Sequence, residues 1–464
     1  MSDLYFEFRS RPAVPAAMLR EWHFREGVFS RLTPPWESAE IVSGPQRLED
    51  GARIVIKVGF GPFRRRWVAR HEVDAEGFVD RQESGPFAAW EHRHCFLEDP
   101  ERPGSSELVD AIRFRLPFGP PGRLAGEALV RRKLERLFRY RHEVARLDLE
   151  RSASSPPPRA LSILVSGATG MVGSVLCPYL RSQGHRVYRL TRTPSAPGDL
   201  FWDPEKGRIE LPPSPRFDGV IHLAGESIAA GRWSARRKRR ILESRRDGTL
   251  LLARALAALA SPPEVLVSAS GINRYAAGPG APHGEDGPAG SGFLAEVCRL
   301  WEEGARPALE AGIRVVHPRI GLVLDPRGGA LARLAPLFRS GLGGRIGHGR
   351  QRLSWIAIDD LLDLLHRSLF ERTWEGAVNF TAPGIVSNEA FSTTLASVLR
   401  RPATLPVPAF ALKAAFGEMA EETLLADLAV APRSLVEAAY PFRYPDLRGA
   451  LEHLFGACQG SAKP

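Results

Sequence analysis

The sequence predicts an α/β protein with a doubly wound parallel sheet, preceded by a separate α+β domain. Three observations lead there. The apolar run Ile163-Leu164-Val165 ends in glycines spaced G-x-x-G-x-x-G, at Gly167, Gly170 and Gly173. Apolar strands then alternate with helical patterns as far as Leu324. Residues 1 to about 150 lack that alternation and carry period-two strands followed by one long amphipathic stretch.

Taken in order, the chain opens on Met-Ser-Asp-Leu-Tyr-Phe-Glu-Phe, which alternates like a strand. It has no basic stretch leading into an apolar one, so no signal peptide is expected. Ile54, Ile56 and Val58 alternate with Val55 and Lys57. Trp67, Ala69, His71 and Val73 share a face, as do Trp90, His92, His94 and Phe96. Leu108, Asp110, Ile112, Phe114 and Leu116 alternate with Arg113 and Arg115. After Pro120-Pro121-Gly122, a helix is expected with Val130, Leu134, Leu137, Val144 and Leu147 as its apolar stripe. A curved sheet gripping that helix would leave an apolar cavity for a hydrophobic ligand. His92 and His94 face it, but two histidines at i and i+2 without a third ligand do not make a metal site, and none is expected. Arg151-Ser152-Ala153-Ser154-Ser155-Pro156-Pro157-Pro158-Arg159 reads as a semi-rigid linker over 151–159.

The words Trp22-His23, Arg31-Leu32-Thr33-Pro34-Pro35-Trp36-Glu37 and Trp90-Glu91-His92-Arg93-His94, in this order of elements, resemble the START-like, helix-grip (SRPBCC) superfamily. The resemblance implies a ligand-binding domain over residues 1–150.

Beyond the linker, the glycine turn joins a strand to a helix carrying Val172, Val175, Leu176 and Leu180 on one face, with Gly184 as its stop. His185 to Leu190 supplies the next strand. Glycines allow a tight turn and a close approach of backbone to a pyrophosphate, and the helix start offers amide groups to it. Gly167, Thr169, Gly170, Met171, Val172 and Gly173 are therefore candidate cofactor residues. An NAD site usually places an acid at the end of the second strand to hold the ribose 2′-OH. This chain has Leu190-Thr191-Arg192-Thr193 there, and Arg192 suits a 2′-phosphate, so NADP is expected.

Phe217 to Glu226 forms a buried strand ending in the candidate cofactor residues Leu223, Ala224 and Gly225, the last two small enough for a dinucleotide to pass. A helix follows from about Ala235 to Ala260, with a basic first half. The strand Glu264 to Gly271 ends in Ser268 and Ser270, and Tyr275 stands just beyond. A helix from Phe293 to about Ala311 and a strand from Ile313 to Leu324 complete the sheet region. Pro318 and Arg319 lie at the ligand edge of that last strand.

The glycine turn, His222-Leu223-Ala224-Gly225-Glu226, Arg232-Trp233-Ser234, Ser268-Ala269-Ser270, Trp301-Glu302, Pro318-Arg319-Ile320-Gly321 and Ser354-Trp355-Ile356 resemble, in order, the epimerase-like atypical short-chain dehydrogenase/reductase family. The tail from Ala377 to Pro445 is similar to that family's small C-terminal helical domain. The resemblance implies a Rossmann domain over 160–385 and a substrate-side domain over 386–464. It also implies hydride chemistry with a Ser, a Tyr and a Lys. Ser270 matches the serine, but Phe293 and Val297 stand where Tyr and Lys belong, and neither carries a proton. Tyr275 is the nearest phenol. Glu226, Arg345 and Arg350 fall on the implied substrate side, the two arginines in a glycine-rich loop suited to an anionic group. Three readings stay open: an NADP-dependent oxidoreductase or epimerase with a displaced acid, a non-catalytic NADP(H) sensor, and a protein whose N-terminal ligand is primary.

Composition sets the remaining bounds. The 464 residues are 44% hydrophobic and 25% charged, with net charge +10. Cys95, Cys177, Cys298 and Cys458 are far apart, which suits a reducing cytosol. The arginine clusters are not interleaved with aromatics, so nucleic acid is not an expected partner. No apolar run reaches membrane-spanning length. A cytoplasmic protein with a small-molecule substrate is expected, and the sequence leaves its oligomeric state open.

Overall fold

The structure, a computed structural model, describes residues 3–45, 47–59, 64–154 and 159–457. The chain divides into two compact units. One comprises Met1–Arg159, Pro178–Gly184 and Gly456–Pro464; the other comprises Ala160–Cys177 and His185–Phe455.

The first unit runs β1 (Leu4–Ser10), α1 (Ala16–His23), α2 (Val28–Arg31), β2 (Ala39–Ser43), β3 (Arg53–Val58), β4 (Arg65–Val73), β5 (Gly77–Ser84), β6 (Ala89–Glu98), β7 (Ser106–Arg115) and α3 (Gly119–Ser154). Its seven strands form one antiparallel sheet in the order β1-β7-β6-β5-β4-β3-β2. Alternation decides which side chains turn inward. Leu108, Asp110, Ile112, Phe114 and Leu116 are all buried, as the sequence pattern requires. On β3 the buried residue is Val55, not Ile54 or Ile56.

The buried line of α3 differs from the expected stripe. It runs Leu134, Phe138, His142, Ala145, Leu149, with Val144 beside it and Leu137 and Leu147 only half-buried. The line is continuous at helical spacing only if His142 is counted as inward, which a hydrophobic pattern does not do. Two apolar clusters result. Leu4, Phe6, Ile112, Phe114, Leu134 and Phe138 form one; Leu19, Trp22, Phe78, Phe96, Leu108, Ala145 and Leu149 are in the other. His142 and Asp110 lie buried on the same elements, so the interior is not the uniformly apolar cavity the sequence suggested. The helix continues through Ser154, so the first part of the expected linker is helical, and residues 155–158 lie outside the described residues. Cys95, Cys177 and Cys298 are buried thiols outside any disulfide; Cys458 lies outside the described residues.

The second unit opens with β8 (Ser162–Ser166), the first part of α4 (Gly173–Ser182), β9 (Arg186–Thr191), β10 (Asp199–Asp203), β11 (Arg208–Ile209), β12 (Gly219–His222), α5 (Ala235–Ala257), β13 (Val265–Ser268) and β14 (Ser270–Gly271). It continues through α6 (Phe293–Gly304), α7 (Arg306–Glu310), β15 (Arg314–Ile320), β16 (Leu322–Leu324), α8 (Gly329–Arg339), β17 (Arg352–Leu353), β18 (Trp355–Ala357), α9 (Ile358–Arg367) and β19 (Gly376–Phe380). The main sheet is ordered β11-β10-β9-β8-β12-β13-β15-β14, with β19 on β15. All its pairings except β10–β11 are parallel. Strands buried on both faces read as continuous apolar runs, which is why β8, β12 and β13 were legible. The order reverses between β8 and β12, and that switch point is where a doubly wound sheet binds ligands.

Two expected elements are split. The helix from Phe293 breaks at Ala305, two residues before Pro307, which cannot donate to a continuing helix. The strand ending at Leu324 divides at Gly321, where a Cβ would stand 2.7 Å from the Ser354 carbonyl. Beyond it β16 leaves the main sheet to pair with β18. The C-terminal region is helical: β20 (Val386–Ser387), α10 (Asn388–Leu399), α11 (Ala409–Phe416), α12 (Arg433–Glu437) and α13 (Leu447–Phe455). It is tied to α9 through Asp360, which accepts from the Arg443 and Tyr444 amides, and Asp363, which accepts from Tyr440. Among the described residues, no helix is long and apolar enough to cross a membrane.

Inside the first unit, Arg31 donates to both oxygens of Asp148 on α3 at 2.7 and 2.9 Å, and both side chains are buried. Removing one partner strands the other charge away from water. Asp148→Ala is expected to lower unfolding free energy by about 3–5 kcal/mol in urea titration, and Arg31→Met with Asp148→Leu to cost less than the single change.

Candidate functional site

At two positions the turn after β8 has room for backbone only. Gly167 has φ +70°, and a Cβ on it would lie 2.8 Å from Leu223 C and Ala224 N. A Cβ on Gly173 would lie 2.2 Å from the Gly167 carbonyl oxygen and 2.7 Å from Ala168 Cα. Gly170 donates its amide to Gly167 O at 3.0 Å, closing the turn. Thr169 and Gly170 are exposed, and Met171 and Val172 half-exposed, where the helix begins. The first amides of a helix have no partner within it, so this bare ledge is suited to a diphosphate. Gly328 and Gly329 pack against the Met171 side chain, which closes one side of the ledge.

The strand ends around it are fixed by one buried imidazole. His222, at the end of β12, meets Ser166 Oγ at the end of β8 through Nδ1 (2.6 Å) and Thr249 Oγ1 on α5 through Nε2 (3.0 Å). Burial pulls the His222 pKa down to about 4, so it stays neutral. Ser268, at the end of β13, is wholly buried, yet its hydroxyl has no hydrogen-bond partner among the described residues. An orphaned donor beside Leu223, Ala224 and Gly225 fits a site made to receive a polar ligand.

At the second strand's end, Arg189 pairs with both oxygens of Asp199 at 2.6 Å. The nearest acid is thereby committed to an arginine and to the Ser195 and Ala196 amides. Arg192 stands open, its side chain 71% exposed and its guanidinium 4.0 Å from the exposed Glu205.

The residues expected to move protons form a closed chain. Ser270 Oγ donates to Glu302 Oε1 at 2.8 Å. Arg319 donates to both Glu302 oxygens at 2.8 and 2.9 Å, and to Tyr275 Oη at 2.8 Å. Tyr275 donates to Asn379 Oδ1 at 2.7 Å and is 2% exposed. Tyr275 is therefore no open loop phenol: burial raises its pKa, and its proton is already placed. Burial would lift the Glu302 carboxyl as well, but the Arg319 guanidinium overcomes this and holds it below the usual range. Arg319, expected to reach the cofactor, is spent on this chain, and Pro318 beside it falls between the stretches of β15 that pair with β13 and with β14. Phe293 and Val297 lie with Trp233, Ile241, Leu294 and Met419 in an apolar cluster. The start of their helix is capped by Glu422, which accepts from the Phe293 and Leu294 amides.

The substrate-side candidates are dispersed. Glu226 meets Arg240 at 3.1 Å. Arg345 turns back on its own loop, donating to the Gly347 and His348 carbonyls, and borders a cleft with Glu389, Ser392 and Thr404. Arg350 is exposed. Sequence reasoning missed Glu302 as the hub of the serine chain. It also missed Arg245, whose guanidinium lies about 3 Å from where a Gly225 Cβ would be and stacks on Trp301. Arg245 lies in the helix whose first half is basic; only its place three turns along, beside the end of β12, could have marked it.

Comparison with known proteins agrees with this geometry. Residues 163–373 match the NAD dependent epimerase/dehydratase family, and 407–454 match a domain of unknown function, DUF1731. The chain is 37% identical over 290 residues to an epimerase family protein of Mycobacterium tuberculosis, covering 62% of this chain and 96% of that protein. It is 37% identical over 298 residues to epimerase family protein SDR39U1 of Mus musculus, covering 63% and 99%. Among solved structures, human SDR39U1 with NADPH superposes with TM-score 0.60 and 34% identity over 63% of this chain and 99% of that one. The nucleoside-diphosphate sugar epimerase of Corynebacterium glutamicum superposes with TM-score 0.80 and 30% identity over 97% of this chain and 90% of that one.

His222 generates a pH signature. Its folded pKa lies below the unfolded value of 6.5, so between about 6.5 and 4 the unfolded chain binds a proton that the folded one refuses. Stability is complete above that window and falls as pH drops through it. His222→Gln is expected to flatten the slope of unfolding free energy there by up to about 1.4 kcal/mol per pH unit, measured by urea titration at several pH values.

Proposed function

The chain belongs to the epimerase protein family, and from that premise we propose that it binds NADP(H) on the glycine ledge and acts on a small molecule as a reductase or epimerase. The observation that carries the cofactor is the pairing of a turn with no room for a Cβ at Gly167 and Gly173 with a second strand whose end offers the exposed Arg192, Asp199 being committed to Arg189. The relative crystallised with NADPH supports the same choice. When bound, the cofactor supplies or accepts hydride. The chain's part is to orient the substrate oxygen by Ser270, with Glu302 held ionised by Arg319 behind it. Tyr275 is then a positioning residue that keeps Arg319 in place.

A second reading, binding of NADP(H) without turnover, is favoured by one observation: the positions of the usual Tyr and Lys are apolar and packed into a cluster. The N-terminal unit we read as a START-like helix-grip domain, on the support of its seven-stranded antiparallel sheet and 36-residue helix. A hydrophobic ligand there would meet the two apolar clusters on either side of Asp110 and His142.

Two measurements test these readings. Arg192→Ala is expected to lose about tenfold or more in affinity for NADPH with little change for NADH, by fluorescence titration; an unchanged preference rejects the 2′-phosphate assignment. Gly173→Ala is expected to abolish binding of both. Nicotinamide absorbance followed with pooled cell metabolites separates turnover from binding, since a pure binder leaves it constant.

A further inference from the structure

The first unit holds a row of titratable side chains that the dinucleotide chemistry does not use. Antiparallel register brings them together. His71 on β4 lies opposite Asp80 on β5, Asp80 opposite His92 on β6, and His94 opposite Asp110 on β7. His142 reaches the row from α3. One ring nitrogen of His92, one of His94 and a carboxylate oxygen of Asp80 all lie within 4.8 Å of one another. His92 and Asp110 are buried, and His94 is 11% exposed.

We propose that Asp80, His92 and His94 form a binding site for a divalent transition ion of the zinc or iron(II) class. The donor set is two imidazoles and one carboxylate, which leaves positions open for water or a ligand. The spacing fits. His94 Nε2 and Asp80 Oδ2 are 3.6 Å apart, too far for a hydrogen bond. Two bonds of about 2.0–2.1 Å to a tetrahedral ion put their donors roughly 3.4 Å apart.

The surrounding shell is the kind that holds such ligands. Metal-binding histidines commonly give their second nitrogen to a carboxylate. Asp110 Oδ1 takes His92 Nε2 at 2.7 Å and lies 2.6 Å from His94 Nδ1, leaving one nitrogen on each ring. That second approach is misaligned for a hydrogen bond, so His94 Nδ1 is buried without one. Asp110 Oδ2 is held by His142 Nε2 at 2.6 Å, and Ser10 Oγ holds His142 Nδ1 at 2.7 Å. His71 Nδ1 holds the other oxygen of Asp80. The competing account is a self-contained ion network, with the half-buried Arg141 on α3 supplying part of the positive charge.

The test uses the full chain, stripped of metal with a chelator and titrated with Co²⁺. The site predicts one Co²⁺ per chain, with visible d–d absorption, displaced by Zn²⁺. Asp80→Asn and His94→Gln are expected to weaken Co²⁺ binding at least tenfold, Asp110→Asn by about 10–100-fold, and His348→Gln, on an exposed loop, not at all. Circular dichroism and a cooperative melt check that each variant folds. If the variants do not fold, the wild type decides alone. Absence of a one-to-one Co²⁺ spectrum, or binding unmoved by both Asp80→Asn and His94→Gln, overturns the proposal.

Discussion

The second unit depends on a contact in which backbone meets backbone. At Gly167 the chain leaves β8 with positive φ and passes so close to Leu223 and Ala224 that a methyl group would not fit. That contact sets the distance between the two strands flanking the switch point and keeps the ledge bare. His222 completes it from within the sheet. Its two hydrogen bonds join the ends of β8 and β12 to α5, and burial keeps it neutral at working pH. The amides are therefore aimed before any ligand arrives, so that little ordering cost falls on binding.

The serine chain obeys a different constraint. Ser270 and Tyr275 share one strand-to-loop segment, and Glu302, Arg319 and Asn379 come from three others, all joined by hydrogen bonds. An ionised carboxylate this sheltered needs a matched cation, and Arg319 meets it through two parallel bonds. The network rigidifies this edge of the sheet. It also removes Tyr275 from the pool of free acids, its hydroxyl donating to Asn379 and accepting from Arg319.

Patterns confined to one element were legible in the sequence. The glycine spacing, the apolar runs of β8, β12 and β13, the order of strands and helices, and the missing acid after Leu190 all depend on neighbours along the chain. What escaped depends on neighbours across it. Asp80 and His92 are twelve residues apart and meet only through sheet register, so two histidines looked like a site without a third ligand. His142 broke the apolar stripe of α3 on paper because a polar residue was counted as outward. Glu302 was read as one letter of a motif, with nothing to show that Arg319 would claim both of its oxygens. Pro307 and Gly321 were visible, but their effect, ending α6 and diverting β16, follows from where the freed backbone goes next.

The two buried polar networks differ in a way that bears on purpose. The network around His222 is neutral and stabilises the sheet at small cost, since hydroxyls and an imidazole are readily desolvated in pairs. The row through Asp80 and Asp110 is charged. The His71 hydrogen bond and the charge of the neighbouring imidazoles overcome the burial that would raise Asp80, and the imidazoles around Asp110 do the same for it. Charged groups taken from water recover in mutual attraction little more than they lose, and apolar residues of similar volume often serve stability as well or better. Apolar side chains flank the row on both sides, so an apolar continuation of the core was sterically available. A carboxylate pair under four imidazoles is thus poorly explained by stability alone and well explained by a positively charged guest.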